Sequence, residues 1–315
     1  MKHEGKVLIT DGVHPVLPKG LRQLGYTIDY QPEISLAEVH DRIHDYRGLI
    51  INSKIVVDAD LLAKAAQLRW LGRLGSGLEI VDREAAFAHG VAVLSSPGGN
   101  APAVGEHALA MILSLAAKLR EGHRQVTQFD WDRESARGWE LKYRTVGLIG
   151  YGHTGPAFAK TLRGFENPIV AYDKYKPNFT SQTPWVEAAV DAEEVLAKAD
   201  ILSLHLPLTA ETIGYLDGDK MDKLPAGAVV INTSRGKVLD LAALVRRLES
   251  GRLGGACLDV FPNEKPSTYN AEEQALLERL VSLPNVRLSP HVAGWTVESK
   301  RALATILLDQ ITDLR

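Results

Sequence analysis

The sequence predicts an α/β chain made of two doubly wound domains, each built on a parallel sheet. Three observations carry that reading. Short β-rich runs alternate with helical patterns through the first hundred residues, a second series of the same kind begins at Thr145, and a glycine-rich turn joins strand to helix at the head of that second series. With 315 residues the chain is long enough for two cores, and a composition 45 % hydrophobic and 24 % charged is that of a globular protein.

In the first series the strands are "KVLIT", "YTIDY", "GLIIN", "LRWLGRL" and "VAVLSS", separated by helical or turn-rich stretches such as "DADLLAKAAQ" and "DREAAFAHG". These give one small parallel sheet with helices over it. Next comes "GGNAPAVGEHALAMILSLAAKLREG". Asn100 can cap this helix, Pro102 suits its first turn, and Val104, Ala108, Met111, Ile112, Leu115 and Leu119 recur at helical spacing. It is apolar on more than one face, which predicts burial.

From Thr145 the strands are "TVGLIG", "PIVAYD", "ADILSLHLP", "AVVINTS", "GACLDVF" and "VRLSPH", a longer parallel sheet. After His291 only one helical segment remains, residues 297–315. It is too short to be a domain, so it is expected to dock on the first one.

Several classes of function find no support in the residues. A net charge of −3 and the lack of a Lys/Arg-rich tract leave no footprint for nucleic acid or a membrane surface. The single cysteine, Cys257, forms no internal disulfide and reads as a small buried hydrophobe in a reducing compartment. The opening "MKHEGKVLITDG" lacks the pattern of a signal peptide, and "ALAMILSLAA" is too short to span a bilayer; a soluble, cytoplasmic protein is expected. Ten scattered histidines without HExxH predict no metal site, and no GxSxG elbow is present.

The most specific local signal is "TVGLIGYGHTGPAFAKTL". Here a buried strand runs into Gly150, Gly152 and Gly155 in GxGxxG spacing and a helix follows, the context a dinucleotide fingerprint requires. Gly150 permits the tight turn, Gly152 lets the backbone approach a pyrophosphate, and Gly155 allows the helix to pack closely on the strand. His153 and Thr154 lie within the turn, where free amides at the helix start attract the anion, and Pro156 fits just inside that start. "IVAYD" ends at Asp173, about 20 residues on, where a carboxylate accepts ribose hydroxyls and repels a 2′-phosphate. NAD is therefore expected over NADP, with Lys174 and Lys176 arguing the other way.

Ligands of doubly wound sheets bind beyond the carboxyl ends of the strands. Four residues stand there: Arg235 after "AVVINTS", Asp259 at the end of "GACLDV", Glu264 in "PNEKP" and His291 after "VRLSP". Singly they read as a surface charge, a strand-end acid, a loop acid and a core histidine. Together they form the set that ketone reduction by hydride transfer needs. Histidine donates the proton near neutral pH, a carboxylate beside it favours the imidazolium, and arginine offers a planar fork to a substrate carboxylate. Asp259 is expected to accept from the nicotinamide carboxamide.

Over nearly its whole length the sequence resembles the D-isomer-specific 2-hydroxyacid dehydrogenases. The likeness rests on "GRLGSGLEIVD", "SSPGGNAPAVGEHALAMIL", "GLIGYGHTG", "ADILSLHLPLTAETIGYL", "INTSRGKVLDLAALVRRLESGRLGGACLDVF" and "PHVAGWTVES". It implies a Rossmann nucleotide domain, residues 100–292, inserted into a flavodoxin-like catalytic domain of residues 1–99 plus 293–315. By resemblance Arg235 orients and polarises a small 2-oxo acid, His291 is the acid/base and Glu264 supports it. The substrate carboxylate goes to the amides of Ser76 and Gly77, with Asn100 nearby. His205 and Pro207 lie beneath the adenosine, and Thr233, Ser234, Asp259 and Gly294 join the cofactor contacts. The resemblance also implies a homodimer held through the nucleotide domain, with the long helix from Glu106 to Lys118 at the interface.

Departures from the family pattern bear on the substrate. Where phosphoglycerate-type members carry arginine before serine, this chain reads Asn52, Ser53, Lys54, so a phosphate anchor is missing unless Lys54 substitutes. Glu79 replaces the usual aspartate, a change expected to be structural. Trp295 stands where many members have a small residue; it either walls the substrate pocket or packs between domains. "FENPIV" lacks the usual glycine before its strand, and Asn167 is expected to replace it in a left-handed conformation. No regulatory domain is expected after Arg315. The expected activity is NAD-dependent 2-hydroxyacid dehydrogenation; the alternative is a non-catalytic NAD-sensing interaction module of the same fold. Glu264 argues against formate oxidation, for which enzymes of this fold pair the histidine with an amide.

Overall fold

A computed structural model of the chain describes residues 5–176 and 178–314; Met1 to Glu4 of the opening stretch and Arg315 lie outside it. The chain divides into two compact units, one of residues 1–100 with 295–315 and the other of residues 101–294.

In the first unit five parallel strands alternate with helices: β1 (Lys6–Ile9), α1 (Val16–Gln23), β2 (Thr27–Tyr30), α2 (Leu36–Arg42), β3 (Gly48–Ile51), α3 (Ala59–Lys64), β4 (Trp70–Arg73), α4 (Arg83–Ala88) and β5 (Ala92–Ser95). The strand order is β2-β1-β3-β4-β5, that of a flavodoxin-like sheet. Side-chain polarity sets the helix starts. Asp58 and Asp82 accept from the amides of Leu61 and Ala85, and Ser35 forms a capping box with Glu38. The C-terminal helix (Val297–Asp313) is capped by Thr296 and lays Leu303, Ala304, Leu307 and Ile311 into a core with Val7, Ile9, Leu17, Leu21 and Trp70. The Ser96 hydroxyl donates to the Leu303 carbonyl at 2.8 Å, which ties that helix to the end of β5.

The second unit runs through α5 (Ala101–Ala116), α6 (Leu119–Thr127), β6 (Val146–Ile149), α7 (Thr154–Leu162), β7 (Ile169–Tyr172), β8 (Val186–Ala188), α8 (Ala192–Lys198), β9 (Ile201–Leu204), α9 (Gly218–Lys223), β10 (Ala228–Asn232), α10 (Leu241–Glu249), β11 (Leu253–Leu258), α11 (Ala271–Ser282) and β12 (Val286–Leu288). Its parallel sheet has the order β12-β11-β10-β9-β6-β7-β8, a doubly wound sheet that reverses direction between β6 and β9. Alternate residues feed opposite cores: Val230 and Leu258 pack on one face, while Val229, Ile231 and Cys257 pack on the other with α5 and α7.

Two local expectations are corrected. The edge strand β8 was not foreseen, because it is three residues long and two of them are exposed, so it lacks an apolar run. The left-handed residue before β7 is Glu166, at φ 56°, and not Asn167. Asn167 instead turns its amide inward and donates to the carbonyls of Leu141 and Arg144. That bonding stops the chain from the inside, while Glu166 takes the strained conformation at the surface.

Candidate active site

The expected catalytic and nucleotide residues of the second unit gather at the carboxyl ends of its strands. Between β6 and α7 the chain turns at Gly150, whose φ is 92°; a Cβ there would sit 2.4 Å from the His205 carbonyl oxygen. A side chain at Gly155 would lie 2.5 Å from the Gly150 carbonyl, so the helix is brought against the turn as closely as backbone allows. Above Gly152, by contrast, a Cβ meets nothing within 4 Å. His153 precedes α7 without capping it by its side chain, which leaves that end of the helix to a ligand. At the end of β10 the Thr233 hydroxyl is about nine-tenths buried and has no hydrogen-bond partner among the described residues. An open face over the second glycine and an orphan hydroxyl just beyond β10, at the same carboxyl edge of the sheet, fit a bound dinucleotide.

Asp173 ends β7 with its Oδ2 accepting the Tyr151 amide at 2.7 Å and its Oδ1 accepting those of Tyr175 and Lys176. His205 is buried and pins its loop from beneath. Its Nε2 is 3.0 Å from the Ser203 hydroxyl and its Nδ1 3.1 Å from that of Thr154, so β9 is tied to the start of α7. Burial pushes its pKa down to about 4, and the ring is neutral at physiological pH. The exposed Pro207 turns the next loop, its carbonyl accepting the Thr212 hydroxyl at 2.6 Å.

Arg235 leaves β10 through a turn built by Asn232, a fully buried amide. Asn232 Oδ1 accepts the amide and hydroxyl of Ser234, and its Nδ2 donates to the Arg235 carbonyl at 3.0 Å. Across the strand ends, His291 Nδ1 lies 2.7 Å from Glu264 Oε2. Burial raises the Glu264 pKa, but the His291 hydrogen bond and charge, the Phe261 amide and the Arg235 charge outweigh it, holding the carboxyl below its usual range. The three residues expected to act together thus share one electrostatic site, with Nε2 of the imidazole left for a reacting oxygen.

Asp259 explains how that imidazole is held. Its fully buried carboxylate accepts the Ser289 hydroxyl (2.6 Å) and Val292 amide (2.9 Å) at Oδ1, and the Ala293 amide (2.8 Å) at Oδ2; its own carbonyl accepts the His291 amide. Between these anchors His291 adopts φ 56°, a left-handed conformation unusual outside glycine. Little of Asp259 is left for the expected carboxamide contact. His107 on α5 extends the network, with Nε2 2.9 Å from the Ser289 hydroxyl. Sequence reasoning missed Asn232, His107 and Ser289; a polar residue ending an otherwise apolar strand run, as in "AVVIN", was the available signal for the first.

The expected substrate residues belong to the first unit. Ser53 and Lys54 follow β3, Ser76 and Gly77 follow β4, and Asn100 follows β5, so all lie beyond the carboxyl ends of adjacent strands. Ser53 and Lys54 are exposed, and the Lys54 ammonium donates to the Pro32 carbonyl. Trp295 is 55 % exposed, its ring 4.3 Å from the Lys300 ammonium.

Residues 109–293 match the family described as D-isomer specific 2-hydroxyacid dehydrogenase, NAD binding domain. The chain is 32 % identical over 263 residues to a hydroxypyruvate reductase of Thermotoga maritima, which covers 84 % of this chain and 83 % of the relative. It is 31 % identical over 309 residues to a D-3-phosphoglycerate dehydrogenase of Archaeoglobus fulgidus, covering 98 % of this chain and 57 % of the relative. Among solved structures, an NAD-binding protein of the D-isomer specific 2-hydroxyacid dehydrogenase type from Polaromonas sp. JS6 66 superposes with a TM-score of 0.85 at 27 % identity, covering 98 % of this chain and 96 % of that one. The chain spans little more than half the length of the phosphoglycerate dehydrogenases it matches. It belongs to the D-isomer-specific 2-hydroxyacid dehydrogenase family and carries that family's NAD-binding domain.

Proposed function

We propose that the chain is an NAD-dependent oxidoreductase that interconverts a small 2-oxo acid and its D-2-hydroxy acid. The observation that carries this reading is the 2.7 Å pairing of His291 with Glu264 beside Arg235, at the carboxyl edge of a sheet whose glycine turn is open above Gly152. The bound dinucleotide supplies or accepts the hydride. Arg235 polarises the 2-oxo group and orients the acid. As the C2–H bond forms, His291 Nε2 gives its proton to the oxygen, so the product is the neutral hydroxyl and the ring is left uncharged. Glu264, its carboxyl held below the usual range, accepts from Nδ1 and so keeps Nε2 turned to the reacting oxygen. Oxidation runs the same steps in reverse.

The remaining assignments belong to this proposal. Gly150, Gly152, His153, Thr154 and Gly155 take the pyrophosphate, Asp173 the ribose, and His205, Pro207, Thr233, Ser234 and Gly294 line the cofactor. The amides of Ser76 and Gly77, with Ser53, Lys54, Asn100 and Trp295, serve the substrate from the catalytic domain. A homodimer is supported by Leu119, Val126, Phe129 and Trp131, apolar side chains exposed just beyond α5; light scattering on the purified chain tests it. A cytoplasmic location belongs to the same proposal; no helix among the described residues is long and apolar enough to cross a membrane. The test of function is NADH consumption across hydroxypyruvate, glyoxylate, pyruvate, 2-oxoglutarate and phosphohydroxypyruvate. Turnover of at least one supports the reading, and NADH binding without turnover of any contradicts it.

A further inference from the structure

We infer that Lys176 turns the ribose end of the nucleotide site into an anion seat, so that the chain accepts NADPH as well as NADH. This rests on the reading that the turn from Gly150 to Gly155 takes the dinucleotide with Asp173 at the ribose. An aspartate at that place ordinarily rejects the 2′-phosphate by offering both oxygens to the ribose hydroxyls. Here both oxygens are engaged by the protein itself: Oδ2 with the Tyr151 amide at 2.7 Å, and Oδ1 with the amides of Tyr175 at 2.9 Å and Lys176 at 3.0 Å. A carboxylate has about four acceptor sites, so about one remains for a ribose hydroxyl, and three N–H dipoles already face its charge.

Beside it stands an uncommitted cation. The Lys176 ammonium rests on two carbonyl oxygens of the glycine turn, Gly152 at 3.2 Å and Tyr151 at 3.4 Å, and forms no ion pair among the described residues. Its neighbour Lys174 differs, since it is paired with Glu211, which also accepts the Tyr175 hydroxyl. Lys176 lines a hollow of about 360 Å³ with Tyr151, Gly152, Tyr175 and Phe179. A phosphate carrying a charge of about −1.5 to −2 at neutral pH lets the ammonium exchange two long carbonyl contacts for charge-assisted bonds.

The experiment is fluorescence titration of the purified full chain with NADPH and with NADH, repeated for Lys176→Met, and calorimetry with adenosine 2′,5′-bisphosphate against AMP. Removing the one facing cation, worth about 1.4 kcal/mol, should raise the ratio of the NADPH Kd to the NADH Kd about tenfold. The bisphosphate should bind the unaltered chain more tightly than AMP, and this preference should vanish in the variant. NADH binding without detectable NADPH binding in the unaltered chain, or an equal loss for both dinucleotides in K176M, overturns the role of Lys176. Failure of NADH itself to bind overturns the underlying nucleotide-site reading and the lysine with it.

Discussion

Replacing Asp259 with asparagine tests how the imidazole of His291 is aimed. The carboxylate accepts from Ser289 and Val292 at one oxygen and from Ala293 at the other, in a site without solvent exposure. An amide has one acceptor oxygen, so in either orientation its NH2 faces a backbone N–H. The least costly orientation keeps Ser289 and Val292 and loses Ala293. A hydrogen bond to a charged group contributes about 1.5–3 kcal/mol, and a buried donor left without a partner costs about 1–3 kcal/mol, so a loss of about 3 kcal/mol is expected. For a unit of this size the melting midpoint should fall by about 6–12 °C. The same amides hold His291 in its left-handed conformation, which costs about 1–2 kcal/mol; released, the ring swings away from Glu264. D259N should therefore lose kcat well beyond any change in NADH affinity, as read by differential scanning calorimetry and steady-state kinetics. A variant with an unchanged midpoint and intact kcat would refute the reasoning.

Other expectations follow from single contacts. Gly155→Ala puts a methyl 2.5 Å from the Gly150 carbonyl, and overpacking of this kind costs about 1–3 kcal/mol. The shifted turn should weaken NADH binding about tenfold, since about 1.4 kcal/mol is one decade; an unaltered fluorescence titration would count against close packing there. His205 titrates at about 4 in the fold because it is buried, against about 6.5 in an unfolded chain. Between these values only the unfolded state binds the proton, so stability is intact above pH ~6.5 and falls by about 2–3 kcal/mol on acidification toward pH ~4. His205→Gln keeps polar partners for Ser203 and Thr154 and should flatten that slope; urea midpoints that decline in parallel for both proteins would argue against it.

How much of this was legible in the sequence depends on the range of the interaction. The strands of both sheets announced themselves wherever an apolar run was continuous, as in "KVLIT" or "AVVIN"; β8 escaped because its residues are mostly exposed. The glycine turn and Asp173 were legible because the chemistry imposes a spacing along the chain. Gathering Arg235, Glu264 and His291 needed the parallel topology, which puts distant residues at one sheet edge. What stayed hidden were second partners supplied by other elements. Asp259 looks like a residue free to meet a ligand until Val292, Ala293 and Ser289 are seen around it, and nothing in "LSLHLP" shows that Ser203 and Thr154 bracket the ring of His205. Neither bracket has a periodicity or spacing of its own.

The most direct measurement of the proposed role of His291 is single-turnover hydride transfer in His291→Asn. Asparagine tolerates the left-handed backbone that this position requires, so the clamp by Asp259 should survive the change. The account predicts NADH affinity within about twofold of the unaltered chain and a hydride-transfer rate lower by about 10²–10⁴-fold, the usual contribution of a positioned general acid. A variant that binds NADH and reduces the preferred 2-oxo acid at the unaltered rate would contradict it.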